Sequence, residues 1–513
     1  MADGAKQGAE PTVLRKFGIN ETYQLAMYLL DQYRGTVLSC RYSIPARLAT
    51  AESRDQVEQT VKAAVVDIIL RHPMLQVGMK DATSKTPSWI QLESLDLKQH
   101  IQWRYITAQD HFEQTVQETF RVQLDDQFPD LSIKQPGWKM TIIRQANAPF
   151  MEVILTWNHP QFDGAGAKIL HEDLLEMLNN IESGTQERKG LDGDIFRLPQ
   201  APPLLPIPLE TLKSLPVDLK YLVKAFWEEN RPQFLNRDVS NAFWCPIQST
   251  PYKTQYRSFF IDNASLTRIL TLCRQNKTTI TALLNGLALV AFSWLLDSKA
   301  APAFQSSTIM DHRRNLPSAP PDAPWVRSDR VVSNYVTQCL HKFDTDIVAR
   351  VRSKLPADAS EERYLSDDLQ REVWAVAAQN RLEIVRKLES GLRNDLVGLF
   401  KYVTDWRQTM SGMAQRPRQF TWLVTNVGIL DGNSSQPSTS DKANSADDQK
   451  WSISRAQFGL SAEIPAAAIE FAPISVAGHG MCVSANWPDC AVDVKLGERV
   501  MADLERWLVQ LTS

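Results

Sequence analysis

The sequence predicts a mixed α/β protein made of two domains. The chain has 513 residues, of which 43% are hydrophobic, and this is enough for two domains that each bury a core of their own. Apolar residues recur at helical spacing in some segments and form short β-rich runs in others. Prolines crowd between residues 198 and 216, where they favour an extended segment that crosses between the domains.

The first elements along the chain are a helix, a strand and a second helix. Residues 18–34 predict a helix that Asn20 caps, and the β-rich run at 35–43 predicts a strand. From 51 to 71 apolar residues recur every three or four positions, which predicts a helix. Pro73 ends it, because the residue before a proline avoids helical backbone.

A hairpin is predicted later in the first half. Short apolar runs at 75–79 and 89–92 predict strands, and residues 111–123 predict an amphipathic helix. The apolar runs at 139–144 and 151–157 are separated by a turn-like segment, so we expect them to pair as a hairpin. A further helix is predicted over 167–178.

The second half also contains both helical and strand patterns. They predict a strand at 254–261, helices at 264–276 and 279–296, a strand near 306–310 and a closing helix from 500 to 511. The stretch at 279–296 is strongly apolar but short for a membrane span, which indicates a buried core helix and no span.

These segments divide the chain into three parts. We expect a first half over 15–198, a proline-rich crossover over 199–250 and a second half over 251–513. Residues 431–450 are almost wholly polar, so they predict a mobile insertion in the second half.

Composition excludes several classes of function. Lys and Arg (56) nearly balance Asp and Glu (59) without a basic run, so a nucleic-acid partner is not expected. The six cysteines lack the spacing of a zinc or iron–sulfur site, so no metal is expected. The first residues lack the apolar core of a signal peptide, and we expect a cytoplasmic protein.

The hexad His159-Pro160-Gln161-Phe162-Asp163-Gly164 lies between the predicted strand at 151–157 and the helix at 167–178. A histidine at a strand end can act as a general base, since its pKa near ~6.5 leaves a large neutral fraction at pH ~7. Asp163 would orient this base, and Gly164 would allow a tight turn. The alternative is that His159 is only a hydrogen-bonded strand-end residue and Asp163 a helix N-cap.

Further motifs follow one another along the chain. They are FGINETY at 17–23, RHPML at 71–75, DHRR at 311–314, SNY at 333–335, TNVG at 425–428 and QFGL at 457–460. With the hexad, this order resembles the chloramphenicol acetyltransferase-like superfamily, which includes BAHD enzymes and condensation domains. The resemblance is strongest to the fungal alcohol O-acetyltransferases. Asn158, in place of a second histidine, and the QFGL segment depart from the condensation-domain and BAHD patterns.

This resemblance implies two chloramphenicol acetyltransferase-like domains with a tunnel between them. Coenzyme A would enter one face of the tunnel and a small alcohol the other, with His159 midway as general base in a direct transfer. The implied reaction is acetyl-CoA-dependent or other acyl-CoA-dependent O-acylation of a secondary metabolite, such as a terpenoid, polyketide or alkaloid. We expect a monomer without a bound cofactor.

The resemblance also implies roles for other residues. Asp163 would face away from the substrate and pair with Arg313 or Arg314, supporting the loop together with Gly164. The family pattern further implies an oxyanion-stabilising or substrate-lining set, namely Thr425, Asn426 and Gln161.

Other functions stay open at this point. A condensation-like or cyclising enzyme could use His159 without coenzyme A, a carrier protein could deliver the acyl group, and a scaffold of the same fold could lack activity. A serine hydrolase is excluded, because the chain has no GxSxG sequence.

Overall fold

The computed structural model describes residues 10–107, 110–181, 187–230, 238–248, 251–318, 329–356, 363–433 and 450–512. Its strands are β1 Val13–Lys16, β2 Gly35–Ser43, β3 Val77–Lys80, β4 Ser88–Gln91, β5 Ser94–Asp96, β6 Ile101–Ile106, β7 Trp138–Gln145, β8 Phe150–Asn158, β9 Leu191–Asp192, β10 Ile195–Arg197, β11 Thr254–Asp262, β12 Phe304–Asp311, β13 Val336–Phe343, β14 Phe420–Val424, β15 Gly428–Leu430, β16 Ser452–Leu460, β17 Ala467–Val476 and β18 Gly480–Pro488. Its helices are α1 Ile19–Leu29, α2 Arg54–Arg71, α3 Leu97–His100, α4 Phe112–Leu124, α5 Leu131–Lys134, α6 Gly164–Asn180, α7 Leu209–Leu212, α8 Leu219–Asn230, α9 Asn263–Gln275, α10 Ile280–Leu295, α11 Thr345–Arg352, α12 Asp367–Glu389, α13 Leu396–Phe400, α14 Trp406–Met413 and α15 Val494–Gln510.

Two mixed β-sheets form the framework. A five-stranded sheet has the order β16-β2-β8-β7-β6, in which only β6 and β7 are parallel. A seven-stranded sheet has the order β11-β18-β17-β14-β12-β13, and β15 also pairs with β17. In this larger sheet β12, β14 and β17 run parallel to one another. The predicted mixed α/β class and the hairpin of β7 and β8 are confirmed.

Strand β16 joins the two halves. It follows the predicted insertion in the second half, yet it pairs antiparallel with β2, so the second half completes the sheet of the first. The hydroxyl of Ser484 on β18 donates to the carbonyl of Phe458 on β16, and the two sheets meet there. The pairing of β16 with β2 links the predicted halves 15–198 and 251–513. The boundaries of these domains therefore stay predictions.

Helix α1 is shorter than predicted. The structure places its cap at Gly18, whose N–H donates to the Glu21 carboxylate at 2.6 Å, so Asn20 as N-cap was wrong. The helix ends at Leu29 because Asp31, two residues later, has a φ of 54°, outside the helical region. Strand β2 has the predicted bounds.

The crossover contains more regular structure than predicted. Helices α7 and α8 both lie within 199–250. The prolines between 198 and 216 stand before α7 or, in the case of Pro216, between the two helices, so they do not break hydrogen bonds inside either helix. Residues 231–237 and 249–250 of the crossover, and 434–449 of the predicted mobile insertion, lie outside the described residues.

Helix α10 is a core helix, as predicted. Its residues from Ala282 to Ser293 are buried, and its leucines pack in the core of the second half. In the part of the chain that the structure describes, no single helix has the length and apolar character to cross a membrane. Helices α9 and α10 would qualify only as a pair bent by 89°.

The closing helix α15 packs on the seven-stranded sheet through a glycine. A Cβ on Gly497 would lie 2.3 Å from Cε2 of Trp487, a fully buried ring on β18. The helix can approach the sheet this closely only because position 497 carries no side chain.

We predict that Gly497→Ala destabilises the protein. Alanine favours a helix by about 1 kcal/mol, but the overpacking against Trp487 costs about 1–3 kcal/mol and should win. Urea denaturation measures the difference. Gly412→Ala in α14 is the matched control, since a Cβ there meets nothing within 4 Å, and it should be neutral or stabilising. Equal effects of the two substitutions would contradict the packing argument.

Candidate active site

The hexad forms the link between strand β8 and helix α6. Strand β8 ends at Asn158, His159 begins a turn, and α6 starts at Gly164. Asp163 is the N-cap, because its Oδ1 accepts the N–H of Gly166 at 2.8 Å. The buried indole N–H of Trp157 donates to the carbonyl of Phe162 at 2.7 Å and holds the link against the end of the strand.

The imidazole of His159 is held along one edge. Its Nδ1 and its main-chain carbonyl both face the side-chain nitrogen of Asn334. The same carbonyl accepts the side-chain N–H of Asn334 at 3.2 Å, and this amide lies 3.1 Å from Nδ1. The Tyr33 ring packs edge-on at 5.5 Å between centroids.

The Nε2 edge of the ring is not engaged in the way that the Nδ1 edge is. Among the described residues, no hydrogen bond is formed by Nε2 of His159, and the residue keeps 8% of its surface exposed. Burial lowers the pKa of His159, and the negative charge of Asp163 and the bond to its own carbonyl offset only part of this effect. This environment favours the neutral form of the ring at pH ~7.

Asp163 and Arg313 form a buried ion pair across the two halves. Nη1 of Arg313 donates to Oδ2 of Asp163 and Nη2 donates to Oδ1, both at 2.9 Å. The remaining N–H groups of Arg313 donate to the carbonyls of Val331 and Ser333 and to the carboxylate of Asp311. Every guanidinium donor is used, which is the condition under which a buried charge is tolerated.

The ion pair decides which arginine supports the hexad. Arg313 is 5% exposed and contacts Asp163, whereas Arg314 is exposed, so the alternative of Arg314 as the partner was wrong. Asp163 also accepts the main-chain N–H of Tyr335 at 2.9 Å. Between the described residues Asp163 and His159 no hydrogen bond is formed, so the aspartate does not orient the ring by direct contact.

Gly164 is needed for a different reason from the predicted one. Its φ is not positive, so the backbone turn does not require a glycine. A Cβ at this position would instead lie 3.1 Å from Cζ of Phe458 and 3.5 Å from Cγ2 of Val427. The glycine therefore allows strand β16 and the segment after β14 to approach the hexad.

The three predicted oxyanion or substrate residues differ in how they are engaged. Gln161 is fully buried, and its amide bonds the main chain of Gly137 and Met74 at its two ends. Asn426 donates to the Thr281 hydroxyl at 2.9 Å and accepts the N–H of Gly428 at 2.8 Å. Within the described chain, only the Thr425 hydroxyl of the three side chains forms no hydrogen bond.

Five of the six motifs singled out in the sequence contact the hexad, and FGINETY is the exception among the described contacts. RHPML supplies the Met74 carbonyl that Gln161 contacts, SNY supplies Asn334, and QFGL supplies Phe458. Asn334 was not among the predicted site residues, although it directly positions His159. The signal that could have found it was the SNY motif itself, whose middle residue is a buried amide.

Comparison with known proteins identifies the family of this chain. The family model of the alcohol acetyltransferases matches residues 90–349, which include the hexad, the Asp163–Arg313 pair and Asn334. The chain belongs to the alcohol acetyltransferase family. It is therefore an acyltransferase that acts on an alcohol, as predicted.

A curated relative spans almost the whole of this alcohol acetyltransferase. The probable alcohol acetyltransferase FCK4 of Fusarium pseudograminearum is 24% identical over 525 aligned residues, which cover 98% of this chain and 96% of the relative. An uncharacterized protein of Schizosaccharomyces pombe is 22% identical over 64% of this chain and 66% of its own length.

Solved structures confirm the chloramphenicol acetyltransferase-like fold of this alcohol acetyltransferase. The TRI3 trichothecene 15-O-acetyltransferase of Fusarium sporotrichioides superposes with a TM-score of 0.65 at 14% identity, covering 98% of this chain and 95% of that one. The condensation domain of the Monacolin K polyketide synthase MokA gives 0.55 at 9% identity, with coverages of 98% and 97%.

We predict that Arg313→Met lowers the free energy of unfolding by about 3–5 kcal/mol, because it leaves Asp163 buried without its cation. Arg314→Met is the matched control and should change stability by no more than about 0.5 kcal/mol, since Arg314 is exposed. Urea denaturation of both variants checks this. Similar stabilities of the two variants would show that the pair does not hold the loop.

Proposed function

We propose that the protein is an acyl-CoA-dependent O-acetyltransferase whose acceptor is a hydroxyl of a small secondary metabolite. Membership of the alcohol acetyltransferase family supports the reaction class. Similarity to the probable alcohol acetyltransferase FCK4 and to a trichothecene 15-O-acetyltransferase supports an acetyl donor and a metabolite acceptor such as a terpenoid, polyketide or alkaloid.

The observation that carries this proposal is the free Nε2 edge of His159. Its lone pair accepts the proton of the acceptor hydroxyl as the oxygen attacks the thioester carbonyl of acetyl-CoA. The tetrahedral intermediate collapses and the C–S bond breaks. The coenzyme A thiolate then takes the proton from Nε2, which leaves ester, free thiol and a neutral imidazole. No acyl-enzyme forms.

The surrounding contacts suit this direct transfer. In this mechanism the neutral ring keeps its proton on Nδ1, the edge that faces Asn334, so Nε2 is the atom that gains and loses the proton. An oxyanion at the reaction centre needs a donor placed for the transition state, typically worth about 3 kcal/mol. We assign this donor to the Thr425 hydroxyl, because the amides of Asn426 and Gln161 are bonded elsewhere.

The proposal has three further features. A tunnel lies between the halves, and coenzyme A and the alcohol reach His159 from its opposite faces. The protein is a monomer and works in the cytoplasm. Strand β16 meets β17 and β18 beside the hexad, and this contact fixes the boundary between the halves there. A scaffold of this fold would release no coenzyme A, and a cyclising or carrier-dependent enzyme would not need it. Donor dependence therefore separates these functions.

We predict that His159→Ala lowers coenzyme A release from acetyl-CoA and an accepted alcohol by at least about a hundredfold, the usual loss for a general base. Release is followed with a thiol reagent against a panel of terpenoid, polyketide and alkaloid alcohols. His479→Ala, in an exposed turn, is the control that should keep activity. Full activity in a folded His159→Ala protein would overturn the mechanism.

The pH dependence gives a second prediction. Because burial lowers the pKa of His159, the neutral base persists as pH falls, and kcat/KM should decline only below pH ~6.5. The decline should follow one proton, since protonation of Nε2 removes the base. Initial rates between pH ~5 and pH ~8 measure this limb. A limb centred well above pH ~6.5 would contradict the environment described for the ring.

A further inference from the structure

A group of acidic and phenolic side chains lies next to His159. The segment of Glu463 runs along the end of helix α1 and the start of β2, because the N–H of Ile464 donates to the Gln32 carbonyl and that of Ser461 to the Gly35 carbonyl, at 2.9 and 2.8 Å. Between these contacts stands Tyr33, whose ring touches the ring of His159. Glu463 is therefore carried to the neighbourhood of the reaction centre.

A second carboxyl group faces the same place from strand β17. Neighbouring Ile469 and Phe471 point into the core of the second half, so Glu470 points to the opposite face of the sheet, toward the first half. Its partner across the strands is Asn486, whose side-chain N–H donates to Oε2 of Glu470 at 3.0 Å. Burial, and then the charges of Glu470 and Glu463, raise the pKa of Tyr33.

Two buried hydrogen-bond acceptors of this group are unpaired. Within the described residues, Oε1 of Glu470 and Oδ1 of Asn486 form no hydrogen bond, although their residues are only 2% and 0% exposed. Buried polar atoms of native proteins are paired as a rule, so these two oxygens indicate a place for a further hydrogen-bond donor.

The charges in this group are also incompletely balanced. The nearby cation is Arg418, whose Nε and Nη1 donate to main-chain carbonyls. In the described chain its Nη2 forms no hydrogen bond, to either carboxylate or to any other group. Burial raises the pKa of Glu463 to about 7, and burial followed by the charge of Glu463 raises the pKa of Glu470 well above its usual range. Two carboxyl groups thus share one positive charge that bonds neither of them.

The group has a solvent-accessible end. Tyr23 and Glu463 are half-buried, and the Tyr23 hydroxyl donates to Oε1 of Glu463 at 3.0 Å. Tyr33 and Glu470 are both buried, and the Tyr33 ring packs on that of His159. A molecule that enters past Tyr23 would meet the carboxyl groups before its hydroxyl reaches the imidazole.

We propose that Glu463 and Glu470 form an acceptor subsite for a protonated amine, so that the natural acceptor is an amino alcohol. The inference rests on the proposed function, since it takes His159 as the base that activates the hydroxyl. The ammonium N–H groups bond the unpaired oxygens of Glu470 and Asn486 and the carboxylate of Glu463, while the Tyr23 and Tyr33 rings cover the cation's apolar substituents.

The test compares alcohols that differ only in exchanging a basic nitrogen for carbon. The pairs are N-methylpiperidinol with methylcyclohexanol, and piperidinylbutanol with cyclohexylbutanol, each assayed by coenzyme A release from acetyl-CoA. The wild-type protein should favour the amine of each pair by at least about tenfold in kcat/KM. Glu463→Gln and Glu470→Gln, which keep the side-chain shape, should bring the ratio to within about twofold of one. Glu176→Gln, at the exposed pair with Arg71, should leave it unchanged.

Equal rates for the members of a pair, or an amine preference that survives both substitutions, would overturn the subsite. The second readout is the Tm of the protein with each alcohol in the absence of acetyl-CoA. It does not depend on catalysis. The amine should raise Tm more than its carbon counterpart in the wild type but not in Glu470→Gln, and equal shifts would again overturn the subsite. If no alcohol releases coenzyme A, the proposed function fails, while the Tm comparison still decides the subsite.

Discussion

The ion pair between Asp163 and Arg313 is the constraint on which the active-site region depends. It joins the cap of helix α6 to the segment between β12 and β13, and so ties the strand that carries His159 to the opposite half of the chain. Because all five guanidinium N–H groups find acceptors, the buried charge is compensated without a contact to the imidazole. The carboxylate shapes the loop without forming a hydrogen bond to the ring.

This division of labour explains how the site can be both rigid and reactive. The Nδ1 edge of His159 lies against the side-chain amide of Asn334, which itself belongs to the segment held by Arg313. Burial keeps the ring neutral, and the nearby aspartate tempers that effect through its field alone. If Asp163 bonded the ring directly, it would stabilise the imidazolium and weaken the base's tendency to release the proton again.

Local patterns predicted a large part of this arrangement. The hairpin of β7 and β8, strand β2, helix α10 and the position of the hexad between strand and helix all follow from residues close together in the sequence. Choosing between Arg313 and Arg314 was not possible, because only contacts across the two halves distinguish adjacent arginines. The role of Asn334 and the packing of Phe458 on Gly164 were hidden for the same reason.

The placement of β16 has a consequence for how the chain folds. During synthesis β2 emerges early, but the strand that covers its outer edge comes from near the end of the chain. Until then β2 presents unpaired N–H and C=O groups, the kind of exposed edge that recruits other chains. Long-range pairing of this type also slows folding, since a large loop must close first. The nascent protein is therefore expected to rely on protection by chaperones until its last strands are made.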